Sequence, residues 1–153
     1  FIISQLLTKG IDKDKIYRNV YNVASEIKIR LWGYVLYEKM EYDATRHAAF
    51  FTLTRADLKR FNYIKGDTEG LVNMPLQIKG TRLSISLRED TDKDNTVWVS
   101  LRSVDDFNCT EMAAAFLNGG GHFNASGGRL NCSIEEAAEI TRKAIITFED
   151  KLK

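Results

Sequence analysis

Two stretches of strict alternation, TRLSISLRE at 81–89 and TVWVSLRS at 96–103, constrain the fold of this chain more than any other feature. A period of two sends successive side chains to opposite faces of a pleated strand. Leu83, Ile85 and Leu87 therefore share a face with Val97, Val99 and Leu101 once the stretches pair. The acidic DTDKDN between them predicts a solvated hairpin connection. It lacks the glycine and final glutamate of an EF-hand, so a calcium loop is a poor competitor. With a symmetric connection Leu83 faces Leu101, Ile85 faces Val99, and Arg82 lies beside Arg102 on the polar face. Two adjacent guanidiniums repel, and that arrangement calls for a carboxylate, water or a bound anion.

Helical periodicity surrounds the hairpin. An apolar pattern at Ile3, Leu6 and Leu7 follows Phe1 and stops at Gly10; the start without an initiator Met reads as a piece of a longer chain. Asp12 caps a helix carrying Ile16, Val20 and Val23. Ser25 caps the next, with Ile27, Leu31, Tyr34, Val35 and the Lys39 stem on related faces and Trp32 and Tyr37 in its packing. A strand over 47–53 precedes a capping box at Thr54 and Asp57. KGDTEGLVNMP is a loop with one helical turn, closed by the only proline. Asn108 with Glu111 opens a helix bearing Met112, Ala113 and Phe116. Ser133 and Glu136 box the last one, whose apolar face is Ile134, Ala137, Thr141, Ala144, Ile145 and Phe148. The expectation is an α/β (α+β) domain: a mixed β-sheet with a central antiparallel hairpin, flanked by helices.

Composition bounds the partners. The 153 residues are 44% hydrophobic, enough for a sizeable core in one globular body. A net charge of +1 from 22 basic and 21 acidic side chains argues against an extended nucleic-acid footprint, so any anion site must be local. Cys109 and Cys132 form no disulfide framework and show no metal-ligand spacing with His47 or His122. The expectation is two reduced, buried thiols in a cytoplasmic protein. No run approaches the roughly 20 apolar residues of a membrane span.

NGGGHFNASGG at 118–128 is the second informative stretch. A glycine triplet is conformationally expensive and needs a local cause. Consecutive amides at Gly119, Gly120 and Gly121 can form a concave anion nest, with His122, Asn124 and Ser126 as further donors. Equally, Gly119 can end the preceding helix while Gly120 and Gly121 shape a tight turn into a strand.

NGGGHFNASGG, preceded by VSLRS and by IKGTRLSISLRE, resembles the DHH-associated domain at the C-terminus of DHH-family phosphoesterases. The similarity is to the branch of bacterial oligoribonucleases, phosphoadenosine phosphatases, cyclic-dinucleotide phosphodiesterases and exopolyphosphatase-related proteins. FIISQLLTKGIDKDKIYRNVY resembles that family's helix joining two domains. Asn118 and Ser126 stand where the pattern often has a fourth glycine and a second alanine; Asn tolerates left-handed backbone and Ser is nearly as small.

The resemblance implies linker helices over 1–24, a substrate-binding domain over 25–153, and an N-terminal catalytic domain with a manganese pair that is absent from this chain. Two isolated histidines cannot assemble such a cluster, so no catalytic or metal-binding residue is expected here. It further implies that Gly119, Gly120, Gly121, His122, Arg102, Ser103, Asn124 and, more weakly, Arg88 hold the phosphate or nucleotide of a substrate hydrolysed in the other domain. The fragment alone is expected to be inactive. The alternative is a noncatalytic nucleic-acid-binding or homodimerisation module related to the C-terminal domain of alanyl-tRNA synthetases. The choice among short RNA, cyclic dinucleotide, adenosine bisphosphate and polyphosphate stays open.

Overall fold

A computed structural model describes residues 2–153; Phe1 and the Ile3 side chain of the opening apolar run lie outside the described residues. Helices α1 (Ile2–Thr8), α2 (Lys13–Tyr21) and α3 (Glu26–Tyr34) lead into a wide turn of π-helix, Val35–Lys39, which passes without a loop into strand β1 (Met40–Asp43). Then follow β2 (Ala48–Leu53), α4 (Arg55–Arg60), a 3-10 helix (Leu71–Gln77), β3 (Leu83–Glu89) and β4 (Val97–Ser103). The chain closes with α5 (Cys109–Phe116), β5 (Gly119–His122), β6 (Ala125–Leu130), α6 (Ile134–Thr147) and α7 (Glu149–Leu152). The strands form one sheet in the order β1-β2-β3-β4-β6-β5. Only β2 and β3 are parallel, so the sheet is mixed, with the β3–β4 hairpin at its centre.

The alternation does what it predicts. Leu83, Ile85, Leu87, Val97, Val99 and Leu101 are all buried in one cluster with Phe107, Met112 and the inner face of α6. On the opposite face, Phe51 and Leu53 of β2 pack beneath Leu31, Val35, Leu58, Leu71 and Val72. That second cover reaches β3 and, through the 3-10 helix, touches β4; beyond it the same face over β6 and β5 carries small and polar residues.

Caps fix the helix starts. Asp12, Ser25 and Asn108 accept from backbone N–H groups of their own first turns, and Thr54–Asp57 and Ser133–Glu136 close reciprocal boxes.

Several expectations are corrected. The hairpin register is displaced by two residues: Leu83 faces Ser103, Ile85 faces Leu101 and Leu87 faces Val99. The connection is asymmetric, because Asp90 N–H bonds Thr96 O (2.8 Å) and the Asp90 carboxylate accepts from Asp92 and Lys93 N–H. A shift of two preserves both faces. It also separates the arginines: Arg82 pairs with Asp106 and the Lys153 carbonyl, while Arg102 faces Ser84. Tyr37 is 86% exposed, because the π turn breaks the helical phase that would have brought it inward. Pro75 sits inside the 3-10 helix instead of closing the loop. His47 precedes β2 in a left-handed conformation (φ 54°). Cys109 is buried but Cys132 only half-buried. Finally, α2 buries none of its residues, and Ile16, Val20 and Val23 are all at least half exposed.

A buried carboxylate ties the second cover together. Asp57 accepts from Tyr34 Oη (2.7 Å) and from the Thr54 amide and hydroxyl, and pairs with Lys39 Nζ at 3.2 Å. Burial pushes its pKa up, but the Thr54, Tyr34 and Lys39 contacts outweigh that and hold it below the ordinary aspartate value. A depressed carboxyl contributes stability above the unfolded value of about 4 and loses it as pH falls through the folded pKa. Asp57→Ala is expected to cost about 3 kcal/mol in urea unfolding at neutral pH. Asp57→Asn should flatten the acid limb of stability against pH; an unchanged acid limb would show that another group controls it.

Candidate functional site: an open sheet face

Strand register decides which residues meet. In a sheet, residues directly opposite on paired strands carry their side chains on the same face, about 4.8 Å apart. Across the uncovered end, His122 is opposite Ala125, Ala125 opposite Arg102, and Arg102 opposite Ser84. The next row in phase runs Gly120, Gly127, Ser100, Ser86. A third runs Arg129, Trp98, Arg88. The face is thus a floor without side chains at Gly120 and Gly127, lined by the Ser100 and Ser86 hydroxyls. Arg102 and His122 border it on one side, Arg88, Trp98 and Arg129 on the other.

Among the described residues three arginines of this face carry no ion pair. Arg46, Arg55, Arg82 and Arg142 each meet a carboxylate. Among the described residues Arg88, Arg102 and Arg129 have none within 4.0 Å. Arg102 keeps only one internal bond, Nη1 to the Leu101 carbonyl at 2.8 Å. Ser84 Oγ, in the Arg102 row, is buried without a partner. Arg88 lies over the Tyr63 ring and Arg129 over Trp98; guanidiniums without a carboxylate at the border of a bare backbone floor suit an oxyanion.

The glycines do not form a concave nest. Gly119, Gly120 and Gly121 are the body of an edge strand; α5 before them ends at Phe116 with Leu117 as its cap, and Asn118, left-handed at φ 46°, leads into the strand. Gly119 and Gly128 are required by close approach: a Cβ on Gly119 would stand 2.0 Å from Gly127 O, and one on Gly128 would stand 2.2 Å from Leu117 O. Gly121 (φ 150°) would meet Ala125 O at 2.7 Å, whereas nothing lies within 4 Å of a Cβ on Gly120. Packing therefore accounts for Gly119 and Gly121. Gly120 alone points its missing side chain into open space over the floor.

Two further residues of the expected set turn inward. Ser103 Oγ donates to Phe107 O (2.7 Å) and accepts from Asn124 Nδ2 (3.0 Å), which also reaches the Asp105 and Phe107 carbonyls. They tie the end of β4 to the β5–β6 turn and do not share the face of Arg102. Conversely, Ser86, Ser100, Trp98 and Arg129 join the site without having been singled out. Alternation already placed Ser100 and Trp98 with Arg102, but Arg129 needed the β4–β6 pairing, which no local pattern announces. Among the described residues no three His, Cys, Asp or Glu side chains gather where they could hold a metal ion, and no helix is long and apolar enough to cross a membrane.

A model of the DHHA1 domain family matches residues 33–149. The chain belongs to the DHHA1 domain family. This DHHA1 domain is similar in structure to an exopolyphosphatase-related protein from Bacteroides fragilis, with TM-score 0.90 and 49% identity over 99% of the chain and 44% of that protein. It thus spans less than half the length of that relative. It also shares its fold with a pGpG-specific phosphodiesterase from Vibrio cholerae, at TM-score 0.57 and 16% identity over 99% of the chain and 46% of the other. A search of curated proteins finds no match.

The glycines separate packing from binding. Gly119→Ala is expected to lower the thermal midpoint sharply, by more than 2 kcal/mol in stability, through the collision with Gly127 O. Gly120→Ala should stay within about 1 kcal/mol of the parent, since it meets nothing. Circular-dichroism melts compare them directly, and equal destabilisation would contradict the assigned roles.

Proposed function

We propose that this chain is the substrate-binding half of a metal-dependent DHH-family phosphoesterase acting on nucleotides or short oligonucleotides. The observation that carries the reading is the pairing of Arg102 and His122 across Ala125 beside the bare Gly120–Gly127 floor. Arg102 offers a forked donor to a phosphate, His122 a second donor from the neighbouring edge, and the Ser100 and Ser86 hydroxyls line the floor between. Gly120 lets the ligand approach the backbone. Binding energy gathered here orients the scissile phosphate toward the partner domain, so remote contacts are converted into rate.

Among the described residues the side chains do not gather as a metal pair needs. Manganese, which activates water for attack on phosphate, belongs in this reading to a preceding DHH domain. The α1–α2 segment supports that arrangement, since Ile16, Tyr17, Val20 and Val23 are left exposed and a helix bearing such a stripe wants a partner. In this reading residues 1–24 link the two domains, and 25–153 bind substrate. Amides of α2 should exchange with deuterium far more slowly when the DHH domain is attached than in the fragment; equal exchange would contradict the docking.

Arg102→Ala and His122→Ala are each expected to weaken binding of a dinucleotide about tenfold by calorimetry, with the fold intact. Parental affinity in both variants would overturn the reading. A steep loss of affinity with salt on long RNA, without dinucleotide binding, would instead favour a nucleic-acid module.

A further inference from the structure

Trp98 has no structural employment that its size explains. It lies on the polar side of β4, belongs to neither buried cluster and is 41% exposed. Its position is nevertheless fixed. The indole N–H donates to Asp90 Oδ2 at 2.6 Å, and Asp90 is itself anchored by the Asp92 and Lys93 amides at 2.9 and 2.8 Å. Opposite it on β6, the Arg129 guanidinium lies 5.9 Å from the ring centroid. Trp98 and Arg129 also line one shallow depression with Gly119, Gly120, Gly127 and Gly128. The aromatic ring therefore borders the glycine floor, two residues along the strand from Ser100 and four from Arg102, or roughly 13 Å at the usual strand rise.

We infer that Trp98, backed by Arg129, is a stacking platform for a nucleobase, so that the ligand of this face carries an aromatic base and is not a bare chain of phosphates. The inference rests on the phosphate-binding reading of Arg102 and His122 and adds to it the residue that holds the base. An exposed, pre-oriented indole offers a flat apolar surface with little ordering cost, and every base has a π-face to lay on it. The unpaired Arg129 adds a planar cation beside the same stack. A polyphosphate would use the arginines and leave the ring in water.

The test titrates the full chain with the dinucleotide pGpG and, separately, with inorganic tripolyphosphate, by calorimetry and by tryptophan fluorescence. Trp98→Ala is expected to weaken pGpG about tenfold or more while leaving tripolyphosphate unchanged, and Trp98→Phe, which keeps a ring, should retain most of the affinity. Fluorescence quenching by pGpG should vanish in Trp98→Phe. The remaining Trp32 is held elsewhere, its indole N–H on the Asp67 carbonyl. Parental pGpG affinity in a folded Trp98→Ala, or an equal loss for both ligands, overturns the stacking role. Arg102→Ala separates the two levels. If it weakens both ligands while Trp98→Ala weakens neither, the phosphate reading stands and the base platform falls; if it weakens neither ligand, the phosphate reading falls. No binding of either ligand by the folded parent overturns both.

Discussion

The β5–β6 hairpin closes to a separation that only glycine allows, with Gly119 and Gly128 approaching each other and the Leu117 carbonyl at distances where any side chain would collide with backbone. That close approach seats β5 at the sheet's edge and brings the end of α5 down onto it. It also fixes the pairing of β6 with β4, and with it the parity of every residue on the open face. Arg102, Ala125 and His122 fall in one row because of this pairing. A slip of one residue would turn Gly128 and Ser126 outward and bury the polar set.

The two faces of the sheet are therefore specialised by one alternating pattern. On one side, apolar residues of β3 and β4 are sealed under α5 and α6, and burial of that surface supplies most of the drive to fold. On the other, the cover formed by α3, α4 and the 3-10 helix reaches across β2 and β3 as far as β4, held by the Asp57 network. What remains bare is a shelf backed by a rigid core, the kind of support on which binding groups keep their geometry.

Much of this was written in the sequence at the level of elements. Five helix caps and the faces of β3 and β4 follow from local chemistry, and the glycine motif points to the right end of the sheet. Pairings between distant segments do not follow from it. The parallel contact of β2 with β3, the strand β1 after a helix with no loop, and the side of the sheet on which Ser103 lies all depend on tertiary register. Ser103 and Asn124 carry the residue types of a binding site, yet they are spent on internal bonds, whereas Trp98 was legible only as one more alternating position. Arg129 stood after two glycines with nothing local to mark it.

The π turn at Val35–Lys39 carries a different lesson. Because it flows straight into β1, it acts as a spacer of fixed length between the helix that roofs β2 and the edge strand beside it. Loss of a single amino acid there would restore ordinary helical winding and rotate Met40–Asp43 by one pleat, exchanging its two sides. Length variation among relatives should accordingly be scarce in this short span and common in the acidic tip between β3 and β4, where solvent surrounds the chain and no strand depends on the count.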